Sequence, residues 1–280
     1  MKTTFLLSRV LAIILCTLLS CKDDHDQTPP TSAAACRITK EYRVGKREYI
    51  AYEYEGELPK KITNYNAAEM PEITLEVLAL EVRKSSNPSG FPTVYSTQYM
   101  SDYLRVSPAS ASVSFTYNHI TTTNINTFHY RYDYKGRMVE VIQYTPNTTA
   151  DYEYMLTISY DDNDNVTRLR YDLVTGPRDE ITIVDVTGYD NHPTPYAGVT
   201  GWKFLMSNFA WDNGDPLPVI LALTKNNPGA YQVFHKGEMI FSASFVYQYN
   251  DHDFPVQRDH VNKNQDGESQ FSSAFEYNCK

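Results

Sequence analysis

The sequence predicts an all-β fold: an antiparallel β-meander of hairpins curled into a barrel-like or open-sided sheet, with a short helical or loop insertion near residues 195–211. Three observations predict this fold. Polar and apolar residues alternate with a period of two over long stretches, a strand–turn–strand unit rich in tyrosine recurs, and glycine, asparagine and aspartate occupy the expected turns. The meander should contain about ten to fourteen strands.

The predicted strands have one aromatic or apolar face. In residues 128–134 every even position is aromatic, and the odd positions are histidine, arginine and aspartate. Similar alternation runs through 151–160 and 239–249, and more weakly through 50–54. Each segment predicts a half-buried strand, because successive side chains of a strand point to opposite faces of the sheet. Residues 73–82 are apolar on both faces, which predicts one fully buried strand.

A repeated unit supports the hairpin interpretation. Residues 52–58 (YEYEGEL) match residues 132–138 (YDYKGRM) position for position, and both predict a strand, a tight turn and a second strand. Residues 160–166 and 247–255 repeat the theme with longer turns. The spacing between copies is irregular, which favours a meander of successive hairpins over a solenoid with one fixed period.

Residues 188–230 depart from this pattern. The alternation disappears, and proline- and asparagine-containing segments bracket residues 198–211. The aromatic residues there, which include Trp202 and Trp211, fit a short helix or packed loop that covers one end of the sheet.

The N-terminus predicts export and lipid attachment. Residues 1–20 have a positive start and an apolar run too short to span a membrane comfortably, so we interpret them as a lipoprotein signal peptide. The run ends in a leucine, a small residue and Cys21, the pattern of a bacterial lipobox, which predicts acylation of Cys21. An ordinary secretory signal or an uncleaved anchor is the alternative.

The segment after the lipobox predicts a location. Residues 21–35 are polar and contain prolines, which is typical of a solvated tether. Lys22, Asp23 and Asp24 resemble the export signal with which Bacteroidota lipoproteins reach the outer face of the outer membrane. We therefore expect a lipid-anchored outer-membrane protein on the cell surface, with the periplasmic face as the alternative.

Two of the four cysteines remain for the folded domain. Cys16 lies in the signal peptide and Cys21 is the lipidation site, which leaves Cys36 and Cys279 at the two ends of a single all-β domain over residues 36–280. Exported chains usually pair such thiols, so a Cys36–Cys279 disulfide is predicted. Two free buried thiols are the alternative.

Several motifs together resemble a known family. They are the lipobox, CRITK at residues 36–40, the repeated tyrosine hairpins, LTKNNP at 223–228 and a terminal FEY strand at 275–277. The chain in this respect resembles the uncharacterised Bacteroidota lipoproteins built around a domain of unknown function described as having a porin-like fold. The resemblance covers about residues 36–280, and it implies an antiparallel meander curled toward a barrel, with no activity to carry over.

Composition and motifs argue against several functions. The formal net charge is −9, so nucleic acid is an unfavourable partner. No metal or cofactor is predicted: Asp161, Asn163 and Asn165 match part of a calcium loop, but Val166 stands where glycine is required. No serine-nucleophile elbow is present in the sequence. Carboxylate pairs such as Asp133 and Glu140 keep an unrecognised hydrolase open as an alternative.

The expected function is non-catalytic binding at the cell surface. The tyrosine stripes predict a packed sheet interior, and the less favoured interpretation is a platform that stacks sugar rings. Because loops carry function more often than strands, Trp202 and Trp211 are the candidate ligand-binding residues, with a glycan or a host macromolecule as the ligand. We expect the lipid anchor to attach the protein to the membrane, and we do not expect the strands to form a membrane-spanning barrel. A structural or assembly role in the cell envelope is the main alternative.

Overall fold

The computed structural model describes residues 36–56, 58–78, 81–86, 93–98, 109–117, 120–145, 152–175, 181–199 and 215–279. The predicted signal peptide, Cys21, the Lys22–Asp24 signal, the tether over residues 21–35, Trp202 and Trp211 lie outside these ranges. Residues Cys36–Lys280 form one compact unit.

The described part is almost entirely antiparallel β-structure with one short helix, which confirms the predicted fold class. The strands are β1 (Arg37–Arg43), β2 (Tyr49–Glu55), β3 (Leu58–Tyr65), β4 (Pro71–Leu78), β5 (Glu81–Ser86), β6 (Thr93–Gln98), β7 (Ala109–Tyr117), β8 (Ile120–Tyr132), β9 (Met138–Thr145), β10 (Tyr152–Tyr160), β11 (Val166–Thr175), β12 (Ile181–Thr187), β13 (Ala230–His235), β14 (Glu238–Tyr249), β15 (Pro255–Asn264) and β16 (Gly267–Asn278). The helix, α1, spans Leu217–Leu223 between β12 and β13.

The strands close into a barrel. Each strand pairs with its neighbours in sequence, and β1 pairs with both β2 and β16. At the seam Arg37 faces Asn278, and Cys36 and Cys279 form the predicted disulfide with their Cα atoms 4.0 Å apart. Closure leaves no unpaired edge along this seam, which is how a barrel avoids edge-to-edge aggregation.

Two expectations about the strands were wrong in detail. The apolar run 73–82 is not one strand: β4 ends at Leu78, β5 begins at Glu81, and Val77 pairs with Val82 across the hairpin. An apolar run gives no period from which to locate such a turn. Because of splits of this kind, the described part of the chain has sixteen strands, more than the expected ten to fourteen. The two copies of the tyrosine repeat also differ, because Glu55 pairs with Leu58 whereas Tyr132 pairs with Met138 around a longer turn.

Four of the described hairpins share one type of turn, which is built on an Asn or Asp side chain. In the turn at Asp133, the Oδ1 atom accepts hydrogen bonds from the backbone N–H groups of Lys135 and Arg137, each at 2.9 Å. The fourth residue, Gly136, has φ of 77°. Turns that begin at Asn66, Asp161 and Asn250 repeat this bonding, with positive φ at Glu69, Asp164 and Asp253. The turn residues therefore supply the left-handed conformations that the sequence predicted.

The described parts of the connection between β12 and β13 pack against one end of the barrel. We call residues 188–229 the plug, of which 188–199 and 215–229 are described. The sequence predicted a short helical or loop insertion near 195–211. Its described residues 195–198 form turns, and α1 lies further along the chain. Six of the seven α1 residues are buried, because an all-apolar helix has no face for water. Among the described residues, no helix has the length and hydrophobicity needed to span a membrane.

The plug is held by close backbone contact. A Cβ atom on Gly198 would lie 2.3 Å from the carbonyl oxygen of Cys36, and one on Gly229 would lie 2.3 Å from the carbonyl oxygen of Gly188. Asn165, at the β10–β11 turn, accepts hydrogen bonds from the Thr224 hydroxyl and from the backbone N–H of Asn226. These contacts fix the plug against the barrel wall at the end where β1 begins and β16 ends.

Candidate binding site

A cavity of about 300 Å³ lies inside the barrel, between the plug and the inward faces of β1–β4, β15 and β16. Its apolar wall consists of aliphatic side chains from β2, β3, β4 and α1: Ile50, Ile62, Ile73, Leu75, Leu217 and Leu221. Its polar lining comes from β1, β15, β16 and the plug, and includes Glu41, Arg258, His260, Ser273 and Asp215. The site is therefore a mostly apolar chamber with polar groups concentrated on one side, as small-molecule sites usually are.

Arg258 is the central polar residue of this chamber. Its side chain is 5% exposed, and its Nη2 atom lies 3.5 Å from Oε1 of Glu41. Its Nε–H donates a hydrogen bond of 2.9 Å to Nε2 of His260, and its Cζ lies 5.2 Å from the centre of the Phe275 ring. The Nη1 atom is buried and has no hydrogen-bond partner in the described part of the chain. The other nitrogens of this buried guanidinium meet His260, Glu41 and Tyr247, so Nη1 is the atom left unsatisfied.

Glu41 accepts hydrogen bonds from two tyrosines. Its Oε2 atom accepts hydrogen bonds from the hydroxyl of Tyr196 at 2.6 Å and from that of Tyr52 at 3.3 Å. Burial, the neighbouring tyrosine and Glu41 raise the pKa of the Tyr52 hydroxyl well above its ordinary value, so it stays a donor. The plug residue Tyr196 therefore links the plug to β1, the strand that pairs with both β2 and β16 at the closure of the barrel.

His260 is a neutral acceptor. Burial, together with the positive charges of Arg258 and Arg43, lowers the pKa of its imidazole to about 3. The ring packs between Phe245, edge-on at 5.2 Å, and Phe271, stacked at 4.1 Å. The Ser273 hydroxyl lies 3.2 Å from the same Nε2 atom that accepts from Arg258. The ring thus serves Arg258 as an acceptor and stays uncharged near neutral pH.

This depressed pKa makes the barrel sensitive to acid. The imidazole binds a proton near pH 6.5 in the unfolded chain and only near pH 3 in the barrel. Between these values the unfolded state binds more protons, so the free energy of unfolding falls as the pH falls, by up to about 1.4 kcal/mol per pH unit. We expect denaturant titrations of His260→Gln to show a flatter dependence over this range, because glutamine still accepts from Arg258 but does not titrate.

The exposed turn residue His252 provides the matched control for this measurement. His252→Gln should keep the slope of the wild-type protein, because its ring is outside the core. A wild-type free energy of unfolding that does not change between pH 6.5 and pH 4 contradicts the burial of a neutral His260.

The tyrosine stripes form packed interior rather than a flat exposed platform. Among the described residues four tyrosines are buried and others pack against the core from the barrel wall, whereas Tyr134, in a turn, is exposed. Several of these hydroxyls donate to backbone carbonyls: Tyr54 to Ile38, Tyr160 to Met138, Tyr189 to Val166, Tyr247 to Pro228 and Tyr277 to Pro255. The rings fill the wall, and their hydroxyls tie neighbouring strands and the plug together.

The other candidate residues are placed as follows. Asp133 is paired with Arg137 and Glu140 with Arg131, so the two carboxylates serve separate ion pairs. The side-chain oxygen of Asp161 accepts a hydrogen bond within the β10–β11 turn, and that of Asn165 accepts one from the plug. One group of potential metal-binding atoms occurs in the described residues, namely Cys36, His252 and Cys279. Both of its sulfur atoms are joined in the disulfide.

Sequence reasoning missed the chamber and its polar residues. Glu41, Arg258 and His260 lie on strands whose sequences are polar on both faces, so no alternation marks them as inward. One usable signal was present. The β15–β16 hairpin pairs Asn264 with Gly267, and this register places His260 opposite Phe271. Because Phe271 belongs to the aromatic face of β16, the pairing indicates that His260 lies on the same face.

The comparisons with known proteins concern the fold. No protein-family model and no curated protein matches this chain. A porin-like protein from Bacteroides vulgatus ATCC 8482 is similar in structure, with a TM-score of 0.53 and 10% identity, over 87% of this chain and 99% of that chain. A porin-like protein from Bacteroides uniformis ATCC 8492 gives a TM-score of 0.39 and 11% identity, over 87% of this chain and 96% of that chain. The first likeness agrees with the porin-like fold that the sequence resemblance implied.

Proposed function

We propose that this protein is a non-catalytic binding protein of the cell envelope, anchored by lipid on Cys21 and holding a small ligand inside its plugged barrel. The chamber of about 300 Å³, lined by a buried Arg258 whose Nη1 atom has no hydrogen-bond partner among the described residues, is the observation that carries the binding function. A glycan or host macromolecule bound near Trp202 and Trp211 stays a separate prediction.

Charges on the outer wall support a barrel that lies outside the bilayer. Arg168 pairs with Asp185 at 2.6 Å, and Arg131 pairs with Glu140 at 2.9 Å. Both pairs lie on the outward face of the sheet. Residues next to them in sequence, such as Leu169 and Val184, are buried on the opposite, inward face. An arginine facing lipid costs about 2–4 kcal/mol at the bilayer midplane. These strands fit an aqueous location, for which the lipid on Cys21 supplies membrane attachment.

The geometry of the Ser273–His260 pair argues against a hydrolase in the chamber. A serine nucleophile needs a base whose pKa lies near the working pH. The Nε2 atom of His260 already accepts from Arg258, and burial with two nearby arginines lowers the pKa of the ring to about 3. The ring is therefore a poor base for Ser273, and binding is the function that these residues support.

The anchor is tested by Cys21→Ala, which should move the protein from the membrane fraction and prevent incorporation of labelled fatty acid. Attachment of an acyl chain is what holds a protein without a spanning helix on a membrane. Protease added to intact cells should degrade the wild-type protein if it lies on the surface and leave it intact if it faces the periplasm. Labelled fatty acid on Cys21→Ala contradicts the anchor, and a persistent partner in cross-linked membranes favours an assembly role instead.

A further inference from the structure

The charged groups that line the chamber do not balance. Among the described residues of the lining, Glu41 and Asp215 are acids, and Arg258 is the one charged base, since His260 is neutral. Oε1 of Glu41 lies 3.5 Å from Nη2 of Arg258, so these two charges are paired. The negative charge of Asp215 is left without a counter-charge in this lining. A ligand that complements the chamber would therefore carry a positive group.

Asp215 has a carboxylate oxygen to offer to that group. Its Oδ1 atom accepts hydrogen bonds from the backbone N–H of Leu217 at 2.9 Å and from the hydroxyl of Tyr231 at 3.2 Å. In the described part of the chain its Oδ2 atom accepts none. The side chain is exposed, so solvent reaches this part of the lining. A protonated amine has three donors, and its hydrogen bond to a carboxylate is charge-assisted.

Arg258 has one donor atom to offer, and its charge is already matched. The Nε–H group donates to His260, Nη2 faces Glu41, and Tyr247 is a further partner. Nη1 is the buried atom that has no partner among the described residues. A carboxylate placed there would add to the negative charge of the lining, whereas a neutral carbonyl oxygen would satisfy the donor and leave the charges as they are.

The opposite wall specifies the rest of the ligand. The isoleucine and leucine side chains from β2–β4 and α1 present branched aliphatic surface. Burial of a hydrocarbon group against such a surface is favourable by about 0.8 kcal/mol per CH₂ group. An aliphatic side chain therefore suits this wall.

We infer that the chamber binds the amino end of a short peptide whose first residue is aliphatic. The ammonium group would lie at Asp215, the first carbonyl oxygen at Nη1 of Arg258 and the side chain against Leu221. In such a residue all three groups are attached to one Cα atom, so a single small unit presents them together. This inference rests on the proposed binding function and names the class of ligand for that site.

Photolabelling of the full-length lipidated protein in membrane vesicles tests this. The probe is the amide of a leucine that carries a diazirine in its side chain. The comparison probes are the same amide without the amino group and the free amino acid, which ends in a carboxylate. After irradiation, mass spectrometry maps the labelled peptides. We expect the amide to label α1 and β2 at least about fivefold more than either comparison probe, which corresponds to about 1 kcal/mol.

An aspartate variant assigns the amine to its partner. Asp215→Asn removes the charge but keeps an Oδ1 acceptor for Leu217 and Tyr231, so the fold should be retained and the preference for the amine lost. Asp251→Asn makes the same change in the exposed β14–β15 turn, outside the lining of the chamber, and should keep that preference.

Two tryptophan variants make the test specific to the chamber. Leu221→Trp fills the space and should abolish labelling of α1 and β2. Val246→Trp adds the same ring on the outer wall, where the native side chain is 67% exposed, and should change nothing. In the wild-type protein an excess of unlabelled leucylglycylglycine should compete with the probe, and its N-acetylated form should not.

The outcomes separate the ligand class from the binding function. Equal labelling of the chamber by the amides with and without the amino group, lost in Leu221→Trp, overturns the recognition of an ammonium group and leaves the binding function standing. Stronger labelling by the free amino acid than by its amide overturns the neutral acceptor at Arg258. A preference for the amine that persists in Asp215→Asn overturns the role of Asp215.

The remaining outcomes concern the chamber itself. Labelling that persists in Leu221→Trp, or that maps to the outer wall, overturns the chamber as the site. No labelling of α1 or β2 by any of the three probes overturns both the ligand class and the binding of such ligands in the chamber.

Discussion

Replacing Cys36 with serine should lower the free energy of unfolding by up to roughly 5 kcal/mol in the chain-entropy account of disulfides. The bond joins residues separated by 243 positions, so breaking it frees almost the whole domain in the unfolded state. The same bond lies at the seam where β1 meets β16. Its loss should therefore be seen as a large decrease in the denaturant midpoint and in the melting temperature.

The control for this experiment is the double variant Cys36→Ser/Cys279→Ser. It should match the single variant and should not respond to reducing agent, whereas the wild-type protein should shift on reduction to the stability of the variants. Equal melting temperatures for the oxidised and reduced wild-type protein contradict a stabilising role. Free thiols at Cys36 and Cys279 in exported, untreated protein contradict the disulfide itself.

The features predicted correctly from the sequence are those encoded locally. Alternation with a period of two identified strands such as β8, β10 and β14, and turn residues such as Asp164 supplied positive φ where it was expected. The disulfide was predictable because chains with a predicted export signal usually pair the cysteines that remain for the folded domain. Together these signals gave an antiparallel meander whose first and last strands meet.

The features that escaped prediction depend on contacts distant in sequence. Whether Arg258 is buried depends on β1, β16 and the plug, which are brought together only by closure of the barrel. The helix α1 has seven residues with no polar face, so it shows no helical period to detect. An apolar run such as 73–82 likewise conceals the turn between β4 and β5. At these positions the conformation and burial depend on tertiary contacts, which the local sequence pattern does not determine.

Arg258→Met should be the most damaging substitution of a charged residue in the described barrel core. Methionine fills much of the same space, but the change leaves Glu41, whose side chain is 14% exposed, beside two tyrosine hydroxyls without its positive partner. Removing one member of a buried ion pair costs about 3–5 kcal/mol, mainly because an uncompensated charge remains. The measurement is the free energy of unfolding by denaturant at pH 7.5, where His260 is neutral in both states.

A double-mutant cycle separates the charge effect from packing. Adding Glu41→Gln to Arg258→Met removes the stranded charge, so the double variant should be more stable than the sum of the two single losses predicts, by about 0.5–3 kcal/mol. Arg168→Met is the matched surface control, since the side chain of Arg168 is 52% exposed in its pair with Asp185 and such pairs contribute about 0–1 kcal/mol. If Arg258→Met is no more destabilising than Arg168→Met, the Arg258–Glu41 pair is not a buried charge pair, and the electrostatic basis of the chamber is wrong.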